Sequence, residues 1–179
     1  LPVQCADILQ QQGHTIYGII SPDPDVRRWA ETRQIPHISK SKEIMPFLRQ
    51  HSFDYLFSIV NPLVLPEEAL QLPQRMAINY HDAPLPRYAG VHATSWALLN
   101  QESEHGITWH EMVAEVDAGD ILRQVSVPIT PTDTALTLNA KCYDAAMTAF
   151  ADLVVELGNG RLQPHAQDLR HRSYFGFCQ

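Results

Sequence analysis

Apolar and polar positions alternate between strand-like and helix-like patterns over the first hundred residues of the chain. The run "DYLFSIV", Asp54–Val60, is almost continuously apolar, which is typical of a strand buried on both faces of a parallel sheet. The pattern predicts strands at Thr15–Ile20, His37–Ser39, Asp54–Val60 and Met76–His81. It predicts helices at Pro2–Gln12, Asp25–Arg33, Glu43–His51, Glu67–Leu72 and Thr94–Asn100. This alternation indicates an open, mostly parallel three-layer α/β sheet.

The pattern changes in the second half of the chain. Gly106–Val116 and Asp120–Ile129 alternate small or polar side chains with bulky ones, and they flank the tripeptide Asp117–Gly119. Three residues are too few for a crossover between parallel strands. The two runs are therefore predicted to pair as antiparallel strands joined by a tight turn.

One long helix is predicted to follow, from a capping residue at Thr132 or Asp133 to the glycines Gly158 and Gly160. Periodicity is lost after Gly160. We therefore predict one domain over residues 1–160, with residues 161–179 forming a linker or the edge of a following segment.

Composition narrows the choice of partners. The 179 residues are 45% hydrophobic and 18% charged, which suits one globular domain. No apolar run reaches the ~18 residues of a membrane span. The net charge of −7 disfavours nucleic acid as a partner. The three cysteines are odd in number and lack metal-ligand spacing, which favours reduced thiols and a cytoplasmic protein that binds no metal.

Candidate chemistry lies in "AINYHDAPLPRYAG", Ala77–Gly90. Side chains alternate along a strand, so Asn79 and His81 share one face, and His81 is the last strand residue before a proline-rich loop. Ligands of open α/β sheets bind beyond the carboxyl ends of strands. Asp117, in the predicted turn, is the third candidate, because a carboxylate can orient an imidazole. Taken singly, each residue has a commoner structural role as a polar cap or turn residue.

Two further histidines lie on the predicted strand Gly106–Val116 or next to it. His105 and His110 are five residues apart, which is the wrong spacing for one strand face. A metal-binding pair is therefore disfavoured, and no metal site is predicted.

The span from about Val60 to Gly158 resembles the folate-dependent formyltransferase family. The similarity lies in "VLPEEALQLPQRMAINYHDAPLPRYAG", "HGITWHEMVAEVDAGDIL" and "PITPTDTALTL", in that order. The resemblance implies the Rossmann-like formyltransferase fold, here without its usual first strand. The family writes Ser-Leu where this chain has Asp82–Ala83. The family's catalytic Asn, His and Asp fall on Asn79, His81 and Asp117.

The resemblance also implies the reaction and its donor. A formyl group would pass from 10-formyltetrahydrofolate to a primary amine, with Asn79 and protonated His81 stabilising the carbonyl oxygen and Asp117 holding His81 charged. The folate ring would lie against two segments. These are Leu63, Val64 and Leu65, and Ala114, Glu115, Val116 and Asp117.

The identity of the acceptor amine is predicted from this chain's version of the family motif, "NYHDAPLPRYAGVHATSWAL". This segment is most similar to formyltransferase domains fused into nonribosomal peptide synthetases. This similarity predicts an aminoacyl group on a carrier protein. An amino-sugar nucleotide or an aminoacyl-tRNA is an alternative acceptor, although the acidic chain disfavours RNA. Two other classes stay open: an enzyme that handles a formyl group without making an N-formyl product, and a non-catalytic folate-binding domain.

Overall fold

The computed structural model describes residues 1–61, 63 and 65–176. The chain divides into two compact units, Leu1–Ala77 and Ile78–Gln179. The helices are α1 (Pro2–Gln11), α2 (Pro24–Thr32), α3 (Ser41–Leu48), α4 (Glu67–Leu70), α5 (Ala93–Leu99) and α6 (Ala135–Asn159). The strands are β1 (Ile19–Ile20), β2 (His37–Ile38), β3 (Tyr55–Ser58), β4 (Met76–His81), β5 (Ala89–Gly90), β6 (Glu104–Glu111), β7 (Ile121–Pro128) and β8 (Tyr174–Phe175).

The first unit consists of short elements around two apolar clusters. β1 and β2 pair in parallel, and Asp23 caps α2 by accepting hydrogen bonds from two backbone N–H groups of its first turn. One cluster is formed by Ala6, Trp29 and Ala30. The other is formed by Ile44, Leu48 and Ala69. Leu63 and Leu65 pack against this second cluster, so their side chains contribute to the core of the unit.

The second unit is built on antiparallel strands. β4 pairs with β6, and β6 pairs with β7; the alternating pattern predicts the second of these two pairings. Trp109 of β6 is fully buried; its ring lies 4.7 Å from that of Phe150 on α6 and 5.3 Å from that of Tyr80 on β4. One face of these strands thus packs into the core with α6, which leaves the opposite face to carry polar groups.

The predicted strand Gly106–Val116 is wrong at its end. β6 stops at Glu111, and residues 112–120 form a loop, which we call the Asp117 loop. Val113 and Val116 are 42% and 45% exposed, so their alternation does not report a buried strand face. Gly119 lets the loop return close to the strand, because a Cβ at this position would lie 2.0 Å from the Glu111 carbonyl oxygen.

Other helices and strands differ from their predicted bounds mainly in length. The strand predicted at Thr15–Ile20 is reduced to Ile19–Ile20, and the long helix is present as α6. Thr134 caps α6 through a reciprocal pair of hydrogen bonds with Thr137, in place of the predicted Thr132 or Asp133. After α6 the chain forms a single-residue bridge at His165, a short 3-10 helix at Leu169–His171, and β8, which pairs in parallel with β5.

Two of the three cysteines lie among the described residues. Cys5 and Cys142 are buried free thiols, and burial raises the pKa of each to about 12. Both are therefore protonated core side chains at neutral pH. Among the described residues, no helix is long and apolar enough to cross a membrane.

Candidate active site

The register of β4 against β6 brings four polar side chains onto one sheet face. Asn79 lies opposite His110, and His81 lies opposite Thr108. Residues opposite each other in an antiparallel pair share a face and are close enough for their side chains to meet. The Nδ2 of Asn79 lies 3.1 Å from the Nε2 of His110, which confirms this proximity.

Asp117 reaches this polar face from the Asp117 loop. Its Oδ1 lies 3.5 Å from the Nε2 of His110, and its Oδ2 lies 3.8 Å from the Nε2 of His81. The backbone N–H of Gly90 donates a hydrogen bond of 2.8 Å to Oδ2. The carboxylate therefore lies between two imidazoles and is held by one backbone amide. His81, His110 and Asp117 are 6%, 2% and 9% exposed, so water does little to screen their charges.

The electrostatics of Asp117 favour its charged form. Burial by itself would raise the pKa of this carboxyl group. The close contact with His110, the charge of His81 and the Gly90 N–H outweigh burial, and together they lower the pKa to about 2. Asp117 is therefore a carboxylate over the whole physiological pH range.

Backbone carbonyls fix which ring nitrogens donate. A carbonyl oxygen can only accept, so the His81 Nε2 donates to the Tyr88 carbonyl at 2.8 Å, and the His110 Nδ1 donates to the Glu111 carbonyl at 2.8 Å. The His110 Nε2 then faces two groups, the Asn79 amide at 3.1 Å and the Asp117 Oδ1 at 3.5 Å: with a proton it donates to Asp117, and without one it accepts from Asn79. Accepting from Asn79 orients the amide and leaves its second N–H available to another acceptor.

The loop after β4 is anchored by buried hydrogen bonds. Thr108 donates from Oγ1 to the Ala83 carbonyl at 2.7 Å and accepts from the backbone N–H of Leu85 at 3.2 Å. The phenol of Tyr88 donates to Glu102 at 2.6 Å, and its ring is buried. Tyr88 is therefore held as part of the framework, and its carbonyl serves as the acceptor for His81.

The predicted folate-contact residues fall into two groups in the structure. Ala114, Glu115 and Val116 are exposed on the Asp117 loop, whereas Asp117 itself is buried. Leu63 and Leu65 belong to the first unit, and Val64 lies outside the described residues. The structure thus brings together Asn79, His81 and Asp117, and it joins the Ala114–Val116 segment to that site through the loop.

His110 is the residue that the sequence analysis missed. Its spacing from His105 argues only against a metal pair, yet in the structure it contacts both Asn79 and Asp117. The role of His110 becomes visible only from the register of β4 against β6, and the sequence does not specify that register. Within the part of the chain that the structure describes, no group of three or more His, Cys, Asp or Glu side chains could hold a metal ion.

Solved structures share this fold. The chain is 21% identical to a sugar 3N-formyltransferase, WlaRD, solved with dTDP and 5-N-formyl-tetrahydrofolate, with a TM-score of 0.84 over 98% of this chain and 65% of that one. It is 22% identical to the phosphoribosylglycinamide formyltransferase of Anaplasma phagocytophilum, with a TM-score of 0.80 over 98% of this chain and 92% of that one.

A third similar structure has a different activity. A formyltetrahydrofolate deformylase from Pseudomonas syringae pv. tomato is 21% identical, with a TM-score of 0.80 over 92% of this chain and 62% of that one. The chain thus spans just under two thirds of the sugar formyltransferase and of the deformylase. These likenesses confirm the predicted open α/β formyltransferase fold. The formyl transferase family model matches residues 17–154, more than half of the sequence, and the chain belongs to that family.

Proposed function

We propose that this chain transfers a formyl group from 10-formyltetrahydrofolate to a primary amine, with Asn79, His81 and Asp117 as its catalytic residues. The observation that carries the proposal is the convergence of an oriented amide, an imidazole and an ionised carboxylate at the carboxyl end of β4. Family membership and the folate ligands of similar structures support the identity of the donor.

The residues fit the proton and charge requirements of this reaction. The folate derivative supplies the formyl group when bound. The second N–H of Asn79 and the imidazolium of His81 donate hydrogen bonds to the formyl oxygen as negative charge develops there. One such donor contributes about 3–4 kcal/mol to lowering the barrier.

Asp117 manages charge and protons in this scheme. Its carboxylate lies 3.8 Å from the His81 Nε2, where its negative charge attracts the imidazolium. Through a water molecule it takes the proton that the acceptor amine loses when the new C–N bond forms. That proton is delivered to the folate nitrogen whose bond to the formyl carbon breaks, so protons and electrons balance.

We further propose that Ala114, Glu115 and Val116 line the folate side of the site. Val113 and Val116 expose apolar surface next to the buried Asp117, and a flat heterocycle suits such surface. Leu63, Val64 and Leu65 remain part of the proposal because of the family resemblance. For Leu63 and Leu65 the backbone, and not the side chain, is the proposed contact, since both side chains pack into the core of the first unit.

For the acceptor, we propose an aminoacyl group carried by a carrier protein in a cytoplasmic synthetase. The segment "NYHDAPLPRYAGVHATSWAL" supports this through its similarity to synthetase-fused domains. A sugar nucleotide is a second candidate, because the sugar formyltransferase has a TM-score of 0.84 with this chain. Water is a third, because the deformylase shares the fold. The net charge of −7 argues against tRNA.

A labelled-formyl assay separates these candidates. Labelled 10-formyltetrahydrofolate would be incubated with aminoacyl-carrier protein, an amino-sugar nucleotide, aminoacyl-tRNA and buffer alone. We expect label on the carrier-borne amine, and the free amino acid should be far poorer because tethering raises the effective concentration. Label on the sugar nucleotide or tRNA would overturn the acceptor proposal alone. Release as formate in buffer would point to hydrolysis.

Folate binding has its own test. A ligand that binds only the native state stabilises it by ~2.7 kcal/mol at one hundred times its dissociation constant. Saturating 5-formyltetrahydrofolate should therefore raise the melting temperature. A shift without transfer to any acceptor would support a non-catalytic folate-binding domain, and an unchanged melting curve with silent calorimetry would overturn the proposed function.

A further inference from the structure

The segment Pro164–Gly176, which we call the strap, follows α6 and contacts both backbone segments that hold Asp117 and His81. The loss of periodicity after Gly160 predicts a linker or the edge of a following segment for these residues. Their contacts lie within the second unit, and they fall into two sets.

The first set of contacts is with the Asp117 loop. The Gln167 side-chain amide donates from Nε2 to the carbonyl of Asp117 at 2.9 Å and to the carbonyl of Gly119 at 2.6 Å. The Arg172 guanidinium donates to the Val116 carbonyl at 2.8 Å. His165 and Ile121 exchange two backbone hydrogen bonds just beyond the loop. Carbonyls on both sides of Asp117 are therefore fixed by strap side chains.

The second set is with Tyr88–Val91, which we call the Gly90 segment. Ser173 accepts from the backbone N–H of Tyr88 through Oγ at 2.8 Å and from that of Ala89 through its carbonyl at 2.9 Å. The ring of Phe175 stacks on Tyr88 at 5.5 Å. A Cβ at Gly90 would lie 2.1 Å from the Phe175 carbonyl oxygen, so only glycine permits this close approach.

These two segments meet at the catalytic carboxylate. The Gly90 N–H donates to Asp117 Oδ2, and the Tyr88 carbonyl accepts from His81. Asp117 has a φ of 54°, a left-handed conformation that costs about 1–2 kcal/mol for a residue with a Cβ. The surroundings must supply that energy, and hydrogen bonds to the carbonyls of Asp117 and Gly119 are suited to do so.

We propose that the strap sets the position of the Asp117 carboxylate, and that Gln167 is its principal positioning residue. Gln167 touches no reacting atom; it acts through the backbone of the Asp117 loop. The catalytic consequence rests on the proposed function, whereas the positioning itself does not. Without Gln167, the loop samples other conformations, and the Gly90 N–H loses its carboxylate for part of the time.

The test replaces Gln167 with a side chain of similar length and no donor. Gln167→Met removes both hydrogen bonds, and the matched control is Arg170→Ala, which removes an exposed strap side chain that pairs with Asp168. Hydrogen-exchange NMR then follows the Gly90 amide. We expect exchange of this amide to be at least about tenfold faster in Gln167→Met than in the wild type, and unchanged in Arg170→Ala.

Kinetics of the folded protein give the second measurement. A misplaced catalytic group costs up to about a hundredfold, so kcat for formyl transfer in Gln167→Met should fall about 10- to 100-fold. A purely structural role would lower the melting temperature and leave kcat per folded molecule unchanged. If the wild type transfers no formyl group, the proposed function fails, and Gly90 exchange still decides the role of the strap.

Unchanged Gly90 exchange in folded Gln167→Met would overturn the proposal. If Gln167→Met fails to fold, Arg172→Met removes the donor to the Val116 carbonyl and is measured in the same way. Faster exchange at Gly90 in that variant supports the strap as the positioning element, and unchanged exchange overturns it.

Discussion

Asn79, His81 and His110 lie on paired strands, whereas Asp117 lies in the loop of residues 112–120 that follows β6. The strand residues owe their placement to two regular features, the alternation of β4 and its register with β6. Asp117 owes its placement to irregular ones: a left-handed φ of 54°, the Gly90 N–H, and the Gln167 amide.

This difference has a physical consequence for the site. Strand geometry is shared with the core, because Ile78 and Trp109 on the opposite face are fully buried. Loop geometry depends on a few hydrogen bonds, each contributing about 1 kcal/mol. Asp117, the ionised acid–base group of the site, is therefore its most easily displaced part.

The largest effect is expected when a catalytic residue is replaced, either on the paired strands or in the Asp117 loop. His81→Ala on the strand and Asp117→Asn on the loop should each lower formyl transfer by about a thousandfold, because each removes charge stabilisation in a buried site. The double variant should cost little more than either single one, since groups that act as a unit are not additive. Steady-state kinetics with circular dichroism as a fold control would measure this. Near-normal turnover in folded single variants contradicts the assignment.

The second prediction concerns the loop backbone. In Gly119→Ala the new Cβ would meet the Glu111 carbonyl, so unfolding free energy should fall by about 1–3 kcal/mol and transfer should fall with it. The matched control is Gly158→Ala in α6, where, apart from the adjacent helix backbone, no atom of the described residues lies within 4 Å of the new Cβ. That change should stabilise the helix by about 0.5–1 kcal/mol. Urea unfolding of both variants measures this difference in unfolding free energy. Equal changes in the two variants would contradict the prediction.

The third prediction follows from the pKa of about 2 for Asp117, against an ordinary value of 3.8. A lowered folded-state pKa means that the carboxylate stabilises the native state, by about 2 kcal/mol, at any pH above roughly 4. As the pH falls from 4 to 2 the unfolded chain is protonated first, so this contribution is lost.

Unfolding free energies of wild type and Asp117→Asn, measured from pH 7 to pH 2, test that sign. The difference between the two should shrink across the window from 4 to 2. A difference that is constant or grows towards low pH would show that Asp117 is not held as a stabilised carboxylate.

The smallest expected effect is on kcat, and it should differ between the two buried histidines of β6. His110→Gln should lower kcat about tenfold, because the Asn79 amide and Asp117 lose a partner. His105→Gln is the comparison, since the ring hydrogen bond of His105 goes to the Asp82 carbonyl. It should lower the melting temperature and leave kcat per folded molecule near normal. Equal kinetic effects would remove the distinction between the two histidines.

Much of the fold was predictable because it depends on local periodicity. β4 was predicted with its bounds at Met76 and His81, and the antiparallel pairing of β6 with β7 was predicted from alternation. The end of β6 was not, because Val113 and Val116 continue the alternating pattern while lying exposed on a loop. Periodicity reports side-chain polarity, and it cannot tell a buried apolar residue from an exposed one.

The sequence by itself determined that Asn79 and His81 share a strand face, and it offered Asp117 as a third candidate to which the family resemblance gave a catalytic role. Only the tertiary structure decided that His110 joins them and that Gln167 holds the Asp117 loop. The reason is that the first relationship spans two residues along one strand and follows from backbone geometry. The contacts from Asn79 to His110 and from Asp117 to Gln167 span 31 and 50 residues, and they exist only once the strands and the strap have packed.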